Sequence, residues 1–265
     1  MSSEVVLIKL GGSLITDKTR AEKPRRQVIT RLAREIARAA PKCPFHLIVG
    51  HGSGSFGHFA ARHSGIAEGL QYPEQLTGLS LTQQQAAALH RLVVKELFTA
   101  GATPYSLAPS SSIVAAAGRP VAFAEEPLFL ALKNGLLPVL YGDVVMDREQ
   151  GVAICSTERV FEMVTQSLLD RGWTIRRILW LGETDGLWDA EGRTVPRLSA
   201  ANFGQAAEAI GEPAGTDVTG GMLHRVETAL GLARLGIPSL LLNGLRPDVL
   251  EAALLGEEVP GTEVF

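Results

Sequence analysis

The strongest constraint on the fold is a glycine-rich segment at 51–58, which directly follows an apolar run at 45–49. Glycines let the backbone turn tightly and leave its N–H groups uncovered, so such a turn at the start of a helix binds anions well. The segment therefore predicts a phosphate-binding loop between a strand and a helix. His58 ends the loop, where its imidazole could hydrogen-bond to the same phosphate.

The spacing argues against two common nucleotide-binding patterns. Residues 52–57 satisfy the dinucleotide pattern G-x-G-x-x-G, but that pattern needs an acidic residue closing the next strand about 20 residues further on. Here a segment rich in alanine and glutamine, 81–100, predicts a long helix instead. The sequence also lacks the Gly-Lys-Ser/Thr of a Walker A loop.

Apolar runs and helical spacing together predict an α/β chain. The run at 5–8 is typical of a strand buried on both faces, and apolar residues at helical spacing follow it at 28–37. Further strands are predicted at 135–141, 177–181, 237–242 and 262–265, with a hairpin at 144–154 and helices from 156 and 217. In the long helix, apolar residues including Leu79 and Leu81 predict core packing; alternatively, an exposed apolar end of the helix lines a substrate pocket.

Two lysines and a second glycine-rich helix start point to phosphate chemistry. Lys9 ends the first strand beside Gly11 and Gly12, which predicts a place at the ligand edge of a parallel sheet. Lys18 follows in the same loop, and the alternatives are a solvated strand end for Lys9 and a polar surface turn for Lys18. The segment 217–222 predicts a second anion site. Two such sites facing each other favour phosphoryl transfer, which needs positioning and charge neutralisation.

Composition narrows the partners and the compartment. The 265 residues carry a formal charge of −3 with scattered basic residues, which argues against a nucleic-acid surface. No apolar segment reaches the roughly 18 residues that span a bilayer, and the N-terminus shows no leader, so we expect no membrane contact. Cys43 and Cys155 lack the paired spacing of a zinc or redox site, which fits the reducing cytoplasm.

Several motifs together resemble the amino acid kinase superfamily over essentially the whole chain. They are Lys9-Leu-Gly-Gly-Ser with Lys18, Gly-Asp143-Val-Val-x-Asp147, Thr184-Asp185-Gly186 and Asp217-Val-Thr-Gly-Gly-Met. The segment His-Gly-x-Gly-Ser-Phe-Gly-His is further similar to that of the isopentenyl phosphate kinases, which use ATP and Mg²⁺ to make isopentenyl diphosphate. The resemblance implies a three-layer αβα sandwich around a mainly parallel sheet. It also implies one domain, 1–265, with an acceptor-binding lobe at about 1–170, a nucleotide-binding lobe at about 171–265, and a homodimer.

The resemblance also implies roles for individual residues. Lys9 and Lys18 would hold the ATP phosphates and stabilise the transferring phosphoryl group, and His58 would grip the acceptor phosphate. The acceptor site would further comprise Gly52, Ser53, Ser156 and Thr157. The nucleotide site would comprise Lys9, Leu10, Gly11, Gly12, Ser13, Gly54, Thr184, Asp185, Gly220, Gly221 and Arg225. The metal ligands stay unassigned.

The chain departs from the superfamily pattern at two places. Ser156-Thr157-Glu158 stands where Ser-Gly-Asp is usual, which puts a side chain where a glycine N–H would approach the acceptor phosphate. Ser156 is predicted to cap the following helix and Glu158 to stabilise its dipole. Arg225 stands where a lysine is usual, and a guanidinium presents a wide fork in place of a point charge.

Two alternative functions remain at this stage. The Ser-x-acid-Arg pattern at 156–159 is also similar to the fosfomycin-phosphorylating kinases, so the acceptor could be another small phosphate or a phosphonate. A protein that only binds nucleotide or oxyanion is the third hypothesis. Such a protein would have no need of both Lys9 and Lys18.

Overall fold

The computed structural model describes residues 3–189, 191–204 and 221–265, apart from the side chain of His58. The strands in this part of the chain are β1 (Glu4–Leu10), β2 (His46–His51), β3 (Pro104–Ser106), β4 (Ile113–Ala116), β5 (Arg119–Phe123), β6 (Leu137–Tyr141), β7 (Asp143–Asp147), β8 (Gly151–Cys155), β9 (Thr174–Gly182), β10 (Arg197–Leu198), β11 (Ser239–Asn243) and β12 (Gly261–Val264). The α-helices are α1 (Gly12–Ile15), α2 (Arg26–Ala39), α3 (Gly54–Ser64), α4 (Gln75–Thr99), α5 (Pro109–Ser112), α6 (Glu126–Lys133), α7 (Thr157–Asp170), α8 (Gly221–Ala233) and α9 (Val249–Leu254).

The larger sheet confirms the prediction of a mainly parallel arrangement. Its order is β10-β12-β11-β9-β1-β2-β6-β3. The strands from β11 to β3 pair in parallel, and β12 reverses the direction beside β11. Since β1 lies in the middle, both of its faces are covered, which explains its unbroken apolar run.

Two hydrophobic cores, one on each face of this sheet, confirm the three layers. Val5 and Leu7 of β1 point into a core shared with α6, α7 and α8. Val6 and Ile8 point the other way, into a core shared with α2, α4 and α9. This alternation follows from the two-residue repeat of a strand.

A smaller sheet lies beyond β6, with the order β5-β4-β7-β8. Its β7 and β8 are antiparallel and confirm the predicted hairpin. The strand β7 begins at Asp143, directly after Gly142 closes β6, so the two sheets are joined within the chain near the ends of their strands.

The long helix α4 differs from its prediction in its start and in one packing residue. It begins at Gln75, earlier than the predicted 81, and Leu81 is exposed, so its predicted inward packing is wrong. The buried stripe runs through Thr82, Ala86 and Leu89. A helix rotates about 100° per residue, so Leu81 faces away from that stripe.

Other expectations concern domains, membranes and cysteines. The division into two lobes stays a prediction, and one sheet draws strands from both segments. Among the described helices, none has the length and apolar character to cross a membrane. Both cysteines are free, and burial raises the pKa of each thiol, to about 12 for Cys155. A thiol of this kind is a poor nucleophile at neutral pH.

Candidate active site

Two glycine loops meet at the carboxyl end of the central strands. Strands β1 and β2 are parallel neighbours, so the loops that follow them leave the same edge of the sheet. The Gly52 N–H donates to the Leu10 carbonyl at 3.0 Å. A Cβ on Gly12 would lie 2.8 Å from the Gly54 nitrogen, and one on Gly52 would lie 2.8 Å from the Gly12 nitrogen. The backbones therefore approach so closely that only glycine fits there.

A cleft of about 450 Å³ opens over these loops. It gathers predicted site residues from β1, from both glycine loops, and from the segments that follow β8 and β9. Those that line it are Lys9, Gly12, Ser13, Lys18, Gly52, Ser53, Ser156, Thr157, Thr184 and Arg225. Residues separated by more than 200 positions in the sequence thus share one cleft.

Other predicted site residues lie behind or beyond this lining. Leu10 is buried in the core, and Gly11 donates its N–H to the Leu181 carbonyl at 2.9 Å. At Gly54 the backbone turns with φ of 50° against the side chain of Thr16. Gly221 is the first residue of α8. Gly220 and the imidazole of His58 lie outside the described part of the chain.

Asp185, predicted for the nucleotide site, is paired with an arginine. The Nε of Arg246 donates to its carboxylate at 2.6 Å, and a second guanidinium nitrogen bonds the other oxygen. The bidentate pair fixes the loop that follows β9 from outside the cleft. Neighbouring Glu183 does line the cleft and is itself paired with Arg25 at 2.5 Å.

A buried ion pair joins Lys9 to Glu158. The Lys9 Nζ lies 2.5 Å from a Glu158 oxygen, and both side chains are almost fully buried. Burial by itself raises the pKa of Glu158, but the charge and hydrogen bond of Lys9, with Arg225 adding, lower it to about 2. Burial lowers the pKa of Lys9, as do Arg225 and Lys18, while Glu158 opposes them. Glu158 is therefore ionised and holds the lysine in place.

The sequence prediction missed this role of Glu158 because a carboxylate in the first turn of a helix is already explained by the helix dipole. The available signal was the acid at the third position of Ser156-Thr157-Glu158, directly after β8. The predicted N-cap is confirmed, since the Ser156 hydroxyl accepts a hydrogen bond from the Arg159 N–H at 3.3 Å.

Arg225 fits its position because two glycines leave room for its guanidinium. The residue is buried on α8 beside the ends of β1 and β9. A Cβ on Gly182 would lie 2.8 Å from its Nη1, and one on Gly11 would lie 3.6 Å from its Nη2. Arg225 forms a cationic cluster with Lys9 and Lys18 in the cleft, and Lys18 lies at its exposed edge.

Thr157 turns its side chain into the sheet. Its hydroxyl donates to the His51 carbonyl at 2.7 Å, and its methyl group lies next to Gly50 on β2. The side chain thus belongs to the packing between α7 and β2. The first N–H groups of α7 have no acceptor within the helix, as at any helix start, and they lie beside the cleft.

One end of the cleft is apolar. It is lined by small and branched side chains from α3, α4 and the hairpin, namely Ala61, Ala86, Val144 and Ile154. This end continues from the Gly52–Ser53 loop. The part of α4 that borders the cleft is the buried pair Thr82 and Ala86, and not the exposed apolar end of the helix that the alternative prediction named.

The fold and the cleft together define a class of protein. A buried lysine at the meeting point of two glycine loops, supported by a second lysine and an arginine, is suited to binding and neutralising phosphate groups. The chain belongs to the amino acid kinase family, whose model matches residues 4–243.

Similar proteins cover almost the whole chain. It is 33% identical to the isopentenyl phosphate kinase of Methanothermobacter thermautotrophicus, over 98% of both chains. It is 30% identical to the isopentenyl phosphate kinase of Haloferax volcanii, again over 98% of both. A solved structure of isopentenyl phosphate kinase superposes with a TM-score of 0.81 at 30% identity, covering 98% of this chain and 99% of that one.

Proposed function

We propose that this protein transfers the γ-phosphoryl group of ATP to isopentenyl phosphate and so forms isopentenyl diphosphate. The observation that carries the proposal is the single cleft in which a cationic cluster, two glycine loops and an apolar end lie together. The glycine loops suit two phosphate-bearing ligands, and the apolar end suits a short branched hydrocarbon. The names of the similar proteins support the same acceptor.

In this reaction an oxygen of the acceptor phosphate attacks the γ-phosphorus of ATP, and the bond to the ADP oxygen breaks. The protein needs no nucleophile of its own, because the attacking oxygen belongs to the substrate. Lys9, Lys18 and Arg225 would stabilise the negative charge on the transferring group. Glu158 would keep the Lys9 ammonium aimed at that group.

The glycine loops divide the ligands between them. The backbone of 9–13, with Gly54, Thr184, Asp185, Gly220 and Gly221, would form the nucleotide site. Gly52, Ser53 and His58 would bind the acceptor phosphate, together with Ser156 and Thr157 at the start of α7. Because Asp185 is tied to Arg246, its part would be to hold its loop in place.

Mg²⁺ would enter with ATP, held mainly by the phosphate oxygens and water. Among the described residues, no group of three or more potential ligands is placed to hold a metal ion. Of these residues, three carboxylates line the cleft: Glu158 and Glu183 are paired with cations, and Asp143 accepts hydrogen bonds from the backbone N–H groups of Val144 and Ser110. Bound Mg²⁺ supplies further neutralisation of the phosphate charge. The superfamily resemblance supports a homodimer, and the free cysteines fit a cytoplasmic location.

The test is an assay of ADP release with isopentenyl phosphate, dimethylallyl phosphate and fosfomycin as acceptors. We expect the highest kcat/KM with isopentenyl phosphate. A higher value with fosfomycin would make the protein a phosphonate kinase. Nucleotide binding by calorimetry without turnover on any of the three would make it a non-catalytic binder.

His58 offers a prediction within this proposal. A charge-assisted hydrogen bond contributes about 1.5–3 kcal/mol, so His58→Ala should lower kcat/KM for isopentenyl phosphate roughly 10- to 150-fold. His58→Gln keeps a donor and should lose less. ATP binding by calorimetry should stay near wild type. The control is His63→Ala, an exposed histidine in the last turn of the same helix.

A role for His58 in the fold would give a different pattern. If His58→Ala unfolds the protein, or weakens ATP and isopentenyl phosphate equally, the residue is structural. The assignment of the acceptor site to the loop at 51–58 would then lose its main support.

A further inference from the structure

Two buried histidines contact each other at the start of the glycine-rich loop 51–58. His51 ends β2 and His90 lies on α4, and both are almost completely shielded from solvent. The His51 Nε2 lies 3.0 Å from the His90 Nδ1. On the other sides of the pair, the His51 Nδ1 lies 3.1 Å from the Gly52 carbonyl, and the His90 Nε2 lies 2.7 Å from the Ser106 hydroxyl.

These contacts allow only one arrangement of protons for two neutral rings. The Gly52 carbonyl can only accept, so the His51 Nδ1 must carry its proton. The His51 Nε2 then accepts from the His90 Nδ1–H. The His90 Nε2 is left as an acceptor, and the Ser106 hydroxyl donates to it. Hydrogen bonds therefore run in one direction from β3 through α4 to the glycine loop.

The surroundings keep both rings neutral. Burial lowers the pKa of His51 to about 4 and that of His90 to about 2. Lys9 adds to the effect on His51, and His51 adds to the effect on His90. The ring of Tyr141 stacks on both, with centroids 5.6 Å from His51 and 4.2 Å from His90. A further proton on the His51 Nε2 would face the His90 Nδ1–H, so that two donors would lie against each other.

The chain of bonds fixes the peptide that follows Gly52. In a planar trans peptide the C=O and the next N–H point in opposite directions, and the described chain has no cis peptide. Holding the Gly52 carbonyl on His51 therefore turns the Ser53 N–H away from the buried ring, toward the cleft that Ser53 lines. On its other side, the Gly52 N–H is held by the Leu10 carbonyl. Glycine would otherwise let this peptide rotate.

We propose that His90 and Ser106 are positioning residues that, through His51, hold the Gly52–Ser53 peptide with its N–H aimed at the acceptor phosphate. Neither residue touches the substrate. Their role rests on the proposed function only for the identity of the acceptor. The orientation of the peptide is a property of the protein alone, so it can be tested separately.

The kinetic test breaks the chain of bonds while keeping the packing. His90→Phe keeps a ring against Tyr141 but removes both nitrogens, and we expect KM for isopentenyl phosphate to rise up to about tenfold while KM for ATP changes little. His90→Asn keeps a donor close to the Nδ1 position and should recover part of the loss. Equal KM values for wild type and His90→Phe would overturn the proposal.

The partner residue gives a second route, because Ser106 is exposed on a short strand and its substitution should not unfold the protein. Ser106→Ala should raise KM for isopentenyl phosphate by a smaller factor, and Ser106→Thr, which keeps the hydroxyl, should restore it. Tyr105→Phe on the same strand is the control. If Ser106→Ala and Ser106→Thr behave alike, the bond to His90 has no part in the site.

A spectroscopic test needs no substrate. Nitrogen-15 NMR of histidine-labelled protein should show the Nδ1–H tautomer for both His51 and His90, assigned by loss of each signal in His51→Gln and His90→Phe. An Nε2–H tautomer at His51 would overturn the proposal. If the acceptor is not isopentenyl phosphate, the tautomers still hold, and inorganic phosphate measured by calorimetry should bind more weakly to His90→Phe than to wild type.

Discussion

Glu158 and Lys9 show how one carboxylate can set the position of a reactive cation. Glu158→Gln keeps the size of the side chain but removes its charge, leaving Lys9 buried among other cations. We expect kcat/KM to fall by about 10²–10³, the loss seen when a group that stabilises transition-state charge is removed. The pKa of Lys9 should fall further, so that Lys9 loses its charge earlier as the pH is raised. The decline of activity at high pH should therefore begin at a lower pH than in wild type.

The control for this variant is Glu162→Gln, an exposed carboxylate one turn further along α7, which should leave kcat/KM and its pH profile unchanged. Glu158→Gln should also lower the free energy of unfolding by about 3–5 kcal/mol, because it leaves a buried charge unpaired. Lower stability with normal turnover would mean that the ion pair serves the fold alone.

Sequence position was enough to predict Lys9 at the ligand edge, because a strand end beside glycines is a local feature. The role of Glu158 could not be predicted in this way, since Lys9 lies 149 positions away. The pairing of Asp185 with Arg246 could not be predicted either, because the arginine lies 61 positions further along the chain. Local rules assign a charged side chain a plausible duty, and only the fold shows which partner it meets.

At the scale of elements, a substitution of Gly12 tests whether the two glycine loops must be in contact. A Cβ there would lie 2.8 Å from the Gly54 nitrogen and 2.9 Å from its Cα, so one loop must move. We expect Gly12→Ala to cost about 1–3 kcal/mol of unfolding free energy, as overpacking does. Loss of kcat/KM should exceed what the unfolded fraction explains, because the displaced loops are those that bind phosphate.

Gly231→Ala is the matched control, because a Cβ on this exposed position of α8 meets no described atom within 4 Å. It should raise stability by about 0.5–1 kcal/mol, since alanine favours a helix more than glycine does. Urea unfolding and kcat/KM for both variants give the comparison. A Gly12→Ala variant as stable and active as wild type would show that the loops need not touch.

Elements with a strong repeat or an unbroken apolar run were predictable, and strands with neither were not. The run at 5–8 and the hairpin at 144–154 follow directly from burial and strand alternation. The strands β4 and β5 were not predicted, because they show no clear alternation of apolar and polar positions. The start of α4 was placed too late because its first turns carry few apolar residues on the buried side.

At the scale of the whole molecule, the parallel sheet explains why distant residues share one site. The loops after β1, β2 and β9 leave the same edge of the sheet because these strands are parallel neighbours. Their order in the sheet differs from their order in the chain, so the sequence predicts the edge but not which loops are adjacent along it. Within the larger sheet, only β1 and β2, which are joined through the helix α2, could be placed side by side in advance.

The buried histidine pair also affects the stability of the whole molecule. The pKa of His51, about 4, and that of His90, about 2, lie below the ordinary value of 6.5. As the pH falls below about 6.5, these two histidines therefore bind protons in the unfolded chain but stay neutral in the folded chain. The free energy of unfolding should fall by about 1.4 kcal/mol per pH unit for each such histidine. This contribution to stability is thus complete above about pH 6.5 and is lost progressively down to about pH 4 for His51 and about pH 2 for His90.

Urea unfolding between pH 7.5 and 5 measures this slope. Glu158, whose pKa is about 2 against an ordinary 4.5, also lowers the stability as the pH falls, but it does so below this range. In His90→Phe one of the two histidines is gone, so the slope should drop by about 1.4 kcal/mol per pH unit. The control is His63→Asn, which replaces an exposed histidine outside the buried pair. An unchanged slope in His90→Phe would mean that His90 takes up a second proton in the folded protein as readily as in the unfolded chain, which is contrary to the lowering of its pKa by burial.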